Sequence, residues 1–171
     1  MKKLLIPFLF VGTMVMIYVM GKTSATLKTT ATPCGILNLE FAYTSTKTTG
    51  VINAWKPNNN ITVAKNNTYY DFIFLAFYAS FLFVTCKKIA QIKNSKAGMR
   101  IAKGALAAGL LDVLENAGML MTLSENTSGT IALFTGIFSL IKWILALTAL
   151  AYVIAGIIYL VRYKKFKMLF S

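Results

Sequence analysis

Four stretches of this chain are too long and too apolar to lie on the surface of a water-soluble fold. Residues 4–20 (LLIPFLFVGTMVMIYVM) carry no charge, residues 69–86 only Asp71, residues 104–123 only Asp112 and Glu115, and residues 131–161 only Lys142. About 17 to 25 apolar residues in a helix span the hydrocarbon of a bilayer, so each run is long enough to cross it, and the fourth is long enough to tilt or protrude. With 57% hydrophobic and 13% charged residues, the chain is far more apolar than soluble domains, where about a quarter of residues are charged. The pattern predicts an all-α membrane protein. It is a single domain over residues 1–171, a four-transmembrane-helix bundle with a short helical outer loop domain between helices 1 and 2.

Residues 1–20 also invite a reading as a secretory signal peptide, with Lys2 and Lys3 as its charged start and T-S-A at 23–25 as a cleavage site. An apolar run of 17 residues exceeds the roughly 7 to 15 of a signal sequence, which favours an uncleaved first helix.

The formal net charge of +13 raises nucleic-acid binding, but the distribution of the charge argues for topology instead. Twelve of the eighteen basic residues fall at the N-terminus, in residues 87–103 and after the fourth run, whereas five fall in residues 21–68 and Lys142 lies within a span. Lysine and arginine accumulate on cytoplasmic loops, so both termini are expected in the cytoplasm, with the basic clusters near anionic lipid head groups. No nucleic-acid recognition motif accompanies them.

Residues 21–68 form the one large segment outside the apolar runs. Thr32-Pro33 reads as a helix start, residues 36–43 as a short apolar segment around Asn38 and Glu40, and G-V-I-N-A-W as a second one ending at Trp55. These read as short helices at the outer membrane surface with Trp55 at the interface, a two-stranded hairpin over 36–55 being the alternative. The sequence K-P-N-N-N-I-T breaks structure, and the Asn- and Thr-rich pieces read as linker.

Helical spacing places Asp112, Glu115, Asn116 and Met119 on one face of the third run, Lys142 with Thr135, Ser139, Ala146 and Ala149 on one face of the fourth, and Asp71, Tyr78 and Thr85 on one face of the second. Three polar stripes predict three faces turned toward a common interior. Taken from the outer ends of the runs, Glu115, Lys142 and Tyr78 lie ~13 to 16 Å down and Asp112 ~18 Å down at ~1.5 Å per residue, a shared level near the bilayer midplane. A charge there costs ~2.5 to 3.5 kcal/mol, so the cluster must be paired, neutralised or hydrated. Lys142 cannot neutralise both Asp112 and Glu115. The candidate binding cluster is therefore Asp112, Glu115, Asn116, Lys142 and Tyr78, with Glu40, Trp55 and Asp71 bordering an outer entrance.

The strings T-P-C-G-I-L-N-L-E-F-A, then Trp55, Y-Y-D-F-I-F-L-A-F-Y, L-L-D-V-L-E-N and K-W resemble a group of small bacterial four-helix integral membrane proteins over most of residues 31–143. That group carries an aromatic residue at the position of Cys34. The resemblance implies a bacterial cytoplasmic (inner) membrane setting and a shared pattern of Glu40, Trp55, Asp71, Asp112, Glu115, Asn116 and Lys142. It implies no activity.

The chain has no histidine, and of its two cysteines Cys34 falls in the outer loop and Cys86 near the inner end of the second span, so neither a zinc-ligand spacing nor an intrachain disulfide is expected. No cofactor and no metal are expected. With no serine-nucleophile motif and no phosphate-binding loop, no catalytic residue stands out and an enzyme has no specific support. Two function classes follow: a membrane protein whose buried carboxylate and lysine site, open toward the outer face, takes a lipid, a small amphiphile or a cation; or an accessory subunit whose polar cluster only fixes helix packing against a membrane partner or a second copy.

The charge distribution generates a topology test. In intact cells, on a variant lacking both native cysteines, an impermeant thiol reagent should label a cysteine at position 60 and spare one at 95. The reverse pattern would exclude cytoplasmic termini.

Overall fold

A computed structural model describes residues 4–170, so Lys2 and Lys3, read above as part of the inner basic set and of a signal-peptide start, lie outside the described residues. The helices are α1 (Leu5–Thr23), α2 (Leu37–Glu40), α3 (Ser45–Trp55), α4 (Asn60–Ile92), α5 (Lys96–Leu123) and α6 (Gly129–Arg162), with 3-10 turns at Ala25–Leu27, Lys56–Asn58 and Phe166–Leu169. Among the described residues there is no strand, so the hairpin alternative over 36–55 gives way to α2 and α3. Four helices, α1, α4, α5 and α6, are long and apolar enough to cross a membrane. Their outward faces stay apolar, as at Val11, Leu110, Leu114, Ile144 and Ile158, all exposed.

Helix α4 begins at Asn60, well ahead of the apolar run at 69–86, and this corrects the linker reading of the Asn- and Thr-rich stretch. The reason lies in long-range hydrogen bonds that local composition does not reveal. Asn67 Nδ2 donates to Met20 O at 3.1 Å and to Thr23 Oγ1 at 3.0 Å, and Asn60 Nδ2 donates to Thr26 O at 2.9 Å. These asparagines pin the start of α4 to the last turn of α1 and to the 3-10 turn that follows it. The break expected just before it is present: Asn59 takes a left-handed conformation (φ 54) and turns the chain into α4.

Small residues let the long helices approach closely. Ala102, Ala105 and Ala108 of α5 are fully buried, and a Cβ on Gly109 would lie 2.8 Å from Ala79 Cβ on α4. Helix α5 packs along both α4 and α6, whereas α1 packs along α4 and makes no extensive contact with α5 or α6. One flank of α4 is thus left uncovered between α1 and α6.

Helices α2 and α3 form a cap with its own core. Trp55 sits at its centre, fully buried with Leu27, Leu39, Val51, Ile52, Met119 and Leu123. Its indole Nε1 donates to Leu27 O at 3.0 Å and Thr32 Oγ1 at 3.1 Å. The ring thus forms the core of the cap, its polar edge satisfied inside the protein, and it does not line the cavity described below. Thr44 begins α3 by accepting from Lys47 N, and Tyr43, at φ 58, makes the sharp turn out of α2. The Tyr43 ring rests on Gly136 of α6, where a Cβ would come within 2.6 Å of it.

Trp55→Ala should lower stability by about 3–5 kcal/mol, the usual cost of deleting a buried aromatic, and Trp55→Phe by about 1–3 kcal/mol through the two indole hydrogen bonds lost and the smaller ring. Thermal melts in detergent, with limited proteolysis across residues 25–58, check both. A wild-type melt for Trp55→Ala would mean that the cap is not packed on the bundle.

Candidate functional site

The inward faces of α4, α5 and α6 meet at Lys142. Its ammonium lies 3.0 Å from Asp112 Oδ1 and 2.6 Å from Glu115 Oε2, both on α5, and 3.8 Å from Glu40 Oε2 at the end of α2. The Asp112 contact is a hydrogen bond with Nζ donating. The Glu115 contact is a close ion pair, and the other oxygen, Glu115 Oε1, has no hydrogen-bond donor among the described residues. Asp112, Glu115, Asn116 and Lys142 are all buried.

Tyr78 of α4 donates its hydroxyl to Asp112 Oδ2 at 2.7 Å, so this carboxylate is held from two helices at once. Asn116 Nδ2 donates to Asp71 Oδ2 at 2.8 Å, tying α5 to α4. Glu40 Oε2 accepts from Ser139 Oγ at 3.1 Å and from Trp143 Nε1 at 3.3 Å. All five residues of the sequence-derived cluster thus come together. Glu40 and Asp71, assigned above to an outer entrance, are buried and join the same network, whereas Trp55 stands apart in the cap.

Three of the chain's five acidic residues, Glu40, Asp112 and Glu115, therefore lie within 4 Å of Lys142, the one lysine of the fourth apolar run, and a fourth, Asp71, lines the same cavity. Glu40, Asp71, Asp112 and Glu115 against Lys142 leave a formal surplus of three negative charges where the sequence indicated one. The surplus extends to hydrogen bonding. Asn116 Oδ1 and Glu115 Oε1 are buried with no donor among the described residues. Ser139 and Trp143 were not singled out as site residues. Ser139 lies on the Lys142 stripe and Trp143 adjoins it, but their common partner, Glu40, is about a hundred positions away in the chain and carries no local signal.

A cavity of about 450 Å³ opens onto this network. Glu40, Asp71, Tyr78, Asp112 and Lys142 line its polar part, and Phe10, Met14 and Ile17 of α1, Phe74 and Phe81 of α4, and Leu147 and Leu150 of α6 line its apolar part. Ile36 and Leu37 of α2 meet it at the cap. Along α4 its lining runs from Asn67 to Leu82, which is about 22 Å of helix. Among the described residues, no group of three or more carboxylate, thiol or imidazole side chains converges closely enough to hold a metal ion. The chemistry of the site is that of an acceptor-rich end on an apolar trough: it can hold a donor or a positive charge beside a hydrocarbon chain, and its carboxylates can relay a proton to a bound group.

Lys142→Met should destabilise the protein by about 3–5 kcal/mol because it strands buried carboxylates, and adding Asp112→Asn and Glu115→Gln should recover part of that loss. Melting of the single and triple variants beside wild type in one detergent reads both effects; a Lys142→Met protein as stable as wild type would show that the ammonium is not the keystone of the cluster. Compared with protein-family models, with curated proteins and with solved structures, the chain has no match, and its function is read from its own geometry.

Proposed function

We propose that the chain is a multi-pass protein of a bacterial cytoplasmic membrane, with both termini in the cytoplasm, that binds an amphiphile: apolar chain along the trough, head group at the carboxylate and lysine cluster. The observation that carries this reading is the continuity of the cavity, apolar along α1, α4 and α6 and polar where Glu40, Asp71, Asp112 and Lys142 meet. Ligand sites of this kind are mostly apolar with a few fixed polar groups that orient the ligand, and pockets of about 300 to 1,000 Å³ are usual. The exposed apolar helix faces support insertion in a bilayer, and the basic residues of 87–103 and 162–167 support the cytoplasmic side for that end.

Access is sideways. The lips of the trough are Phe10, Met14 and Ile17 on one side and Trp143, Leu147 and Leu150 on the other, all exposed, while α2 lies over the cap end. An amphiphile already in the membrane reaches the trough without crossing water, its head group at the level of the cluster.

A second reading is favoured by the way the cluster ties α2, α4, α5 and α6 together: it is then a packing device in an accessory subunit. Ligand stabilisation separates the two. Single-chain amphiphiles should raise the melting temperature of the purified protein, by the equivalent of about 2.7 kcal/mol at a hundred times Kd. Ala146→Phe, which fills the trough beside Lys142, should remove that shift while melting within a few degrees of wild type when no amphiphile is added. If no member of a panel of chain lengths and head groups shifts the melt, the accessory reading replaces the binding one.

A further inference from the structure

We infer that the head group this site takes is a primary ammonium, held by Glu40 and Asp71, so that the ligand is an alkyl chain ending in an aliphatic amine. The inference rests on the amphiphile reading and specifies its chemistry.

The four carboxylates are not equivalent. Asp112 is 2% exposed and Glu115 0%, and Lys142 occupies them both. Glu40 and Asp71 are 7% and 8% exposed and line the cavity. Their nearest partners are neutral: Asn116 for Asp71, Ser139 and Trp143 for Glu40, the Lys142 ammonium standing 3.8 Å from Glu40. Each bonded carboxylate uses one oxygen, Oδ2 of Asp71 and Oε2 of Glu40, and a carboxylate has about four acceptor positions. The donors at hand, Tyr78, Ser139, Trp143, Asn116 and Lys142, are committed. Asn116 Oδ1, fully buried beside Asp71, has none.

With its carboxyls ionised, the site therefore lacks two things together, positive charge and N–H or O–H donors. A hydroxyl head group brings donors without charge, and a trimethylammonium brings charge without donors. A carboxylate or sulfate brings neither and adds to the repulsion. A primary ammonium brings one positive charge and three donors, the complement of two carboxylates, and charge-assisted hydrogen bonds in a desolvated site are the strong kind. The same chemistry has two sources, a single-chain amine and the ethanolamine head of a membrane phospholipid.

The test uses the full chain in phosphatidylcholine nanodiscs and reads melting temperature against added tetradecylamine, tetradecyltrimethylammonium, tetradecanol and tetradecanoate. The Glu40→Gln/Asp71→Asn variant serves as the reference for partitioning into the disc. Tetradecylamine should half-saturate at a concentration about tenfold or more below the alcohol and the trimethyl compound, the scale of one charge-assisted hydrogen bond, and the variant should lose that preference. Discs doped with phosphatidylethanolamine identify the source: a shift there assigns the amine to a phospholipid, and a shift with tetradecylamine alone assigns it to a single-chain amine, either outcome supporting the ammonium. If all chains stabilise equally, or the alcohol or carboxylate leads, the head-group assignment is overturned while the amphiphile reading stands. If no chain stabilises the wild type, both fall. The wild-type series decides the question by itself should the double variant fail to fold.

Discussion

The burial of one ammonium group sets the terms for this structure. Moving Lys142 and its carboxylate partners out of water costs several kcal/mol per ion, and that penalty is offset only when contacts are short and the remaining donors and acceptors are met. Asp112 at 3.0 Å and Glu115 at 2.6 Å fulfil the first condition from α5, and the hydroxyl of Tyr78, from α4, contributes to the second. Such contacts require the helices to be close. The run of small residues on α5, Ala102, Ala105, Ala108 and Gly109, allows that approach on the side that carries the carboxylates.

The cap follows from the same constraint. Glu40 reaches the cluster because α2 ends there, and α2 is only four residues long, too short to hold its own position. Its place is fixed from both sides by tertiary packing: Leu39 in the Trp55 core behind it, and the Tyr43 ring on Gly136 of α6 after it. The indole of Trp55 is in turn bonded to Leu27 O and Thr32 Oγ1 in the segment leaving α1. A change in the cap is thus transmitted to the polar end of the trough through one carboxylate.

What the sequence made legible was periodic. The spacing of Asp112, Glu115 and Asn116, the lone Lys142 and the seven-residue recurrence through Tyr78 gave a cluster that the structure assembles, and the four apolar runs correspond to four long helices. Features carried by long-range contact were not legible. Asn60 to Thr68 has the composition of a linker, yet continues α4 because two of its asparagines meet carbonyls of residues 20 and 26. Trp55 has the composition signal of an interfacial residue, yet its polar edge is satisfied inside the cap. Asp71 was visible on the stripe it shares with Tyr78 though assigned to the entrance, whereas Glu40 was visible only as an unusual acid, since a hydrogen bond spanning 99 positions leaves no trace in a local pattern.

The trough exists because α1 leans on α4 alone, leaving the flank of α4 around Phe74, Tyr78 and Phe81 facing the space between α1 and α6. A cluster whose purpose was only to lock helices would need one acid for Lys142, and Asp112, already bonded to Tyr78, suffices for that. Each further buried acceptor without a donor raises the desolvation penalty and returns nothing in packing. Asn116 Oδ1 is such an acceptor, and Glu40 and Asp71, each hydrogen-bonded through one oxygen only, face the cavity. In the amphiphile-binding reading proposed above, their cost is recovered when a donor arrives from outside the chain, and the apolar walls leading to them set what else that donor must carry: a hydrocarbon chain.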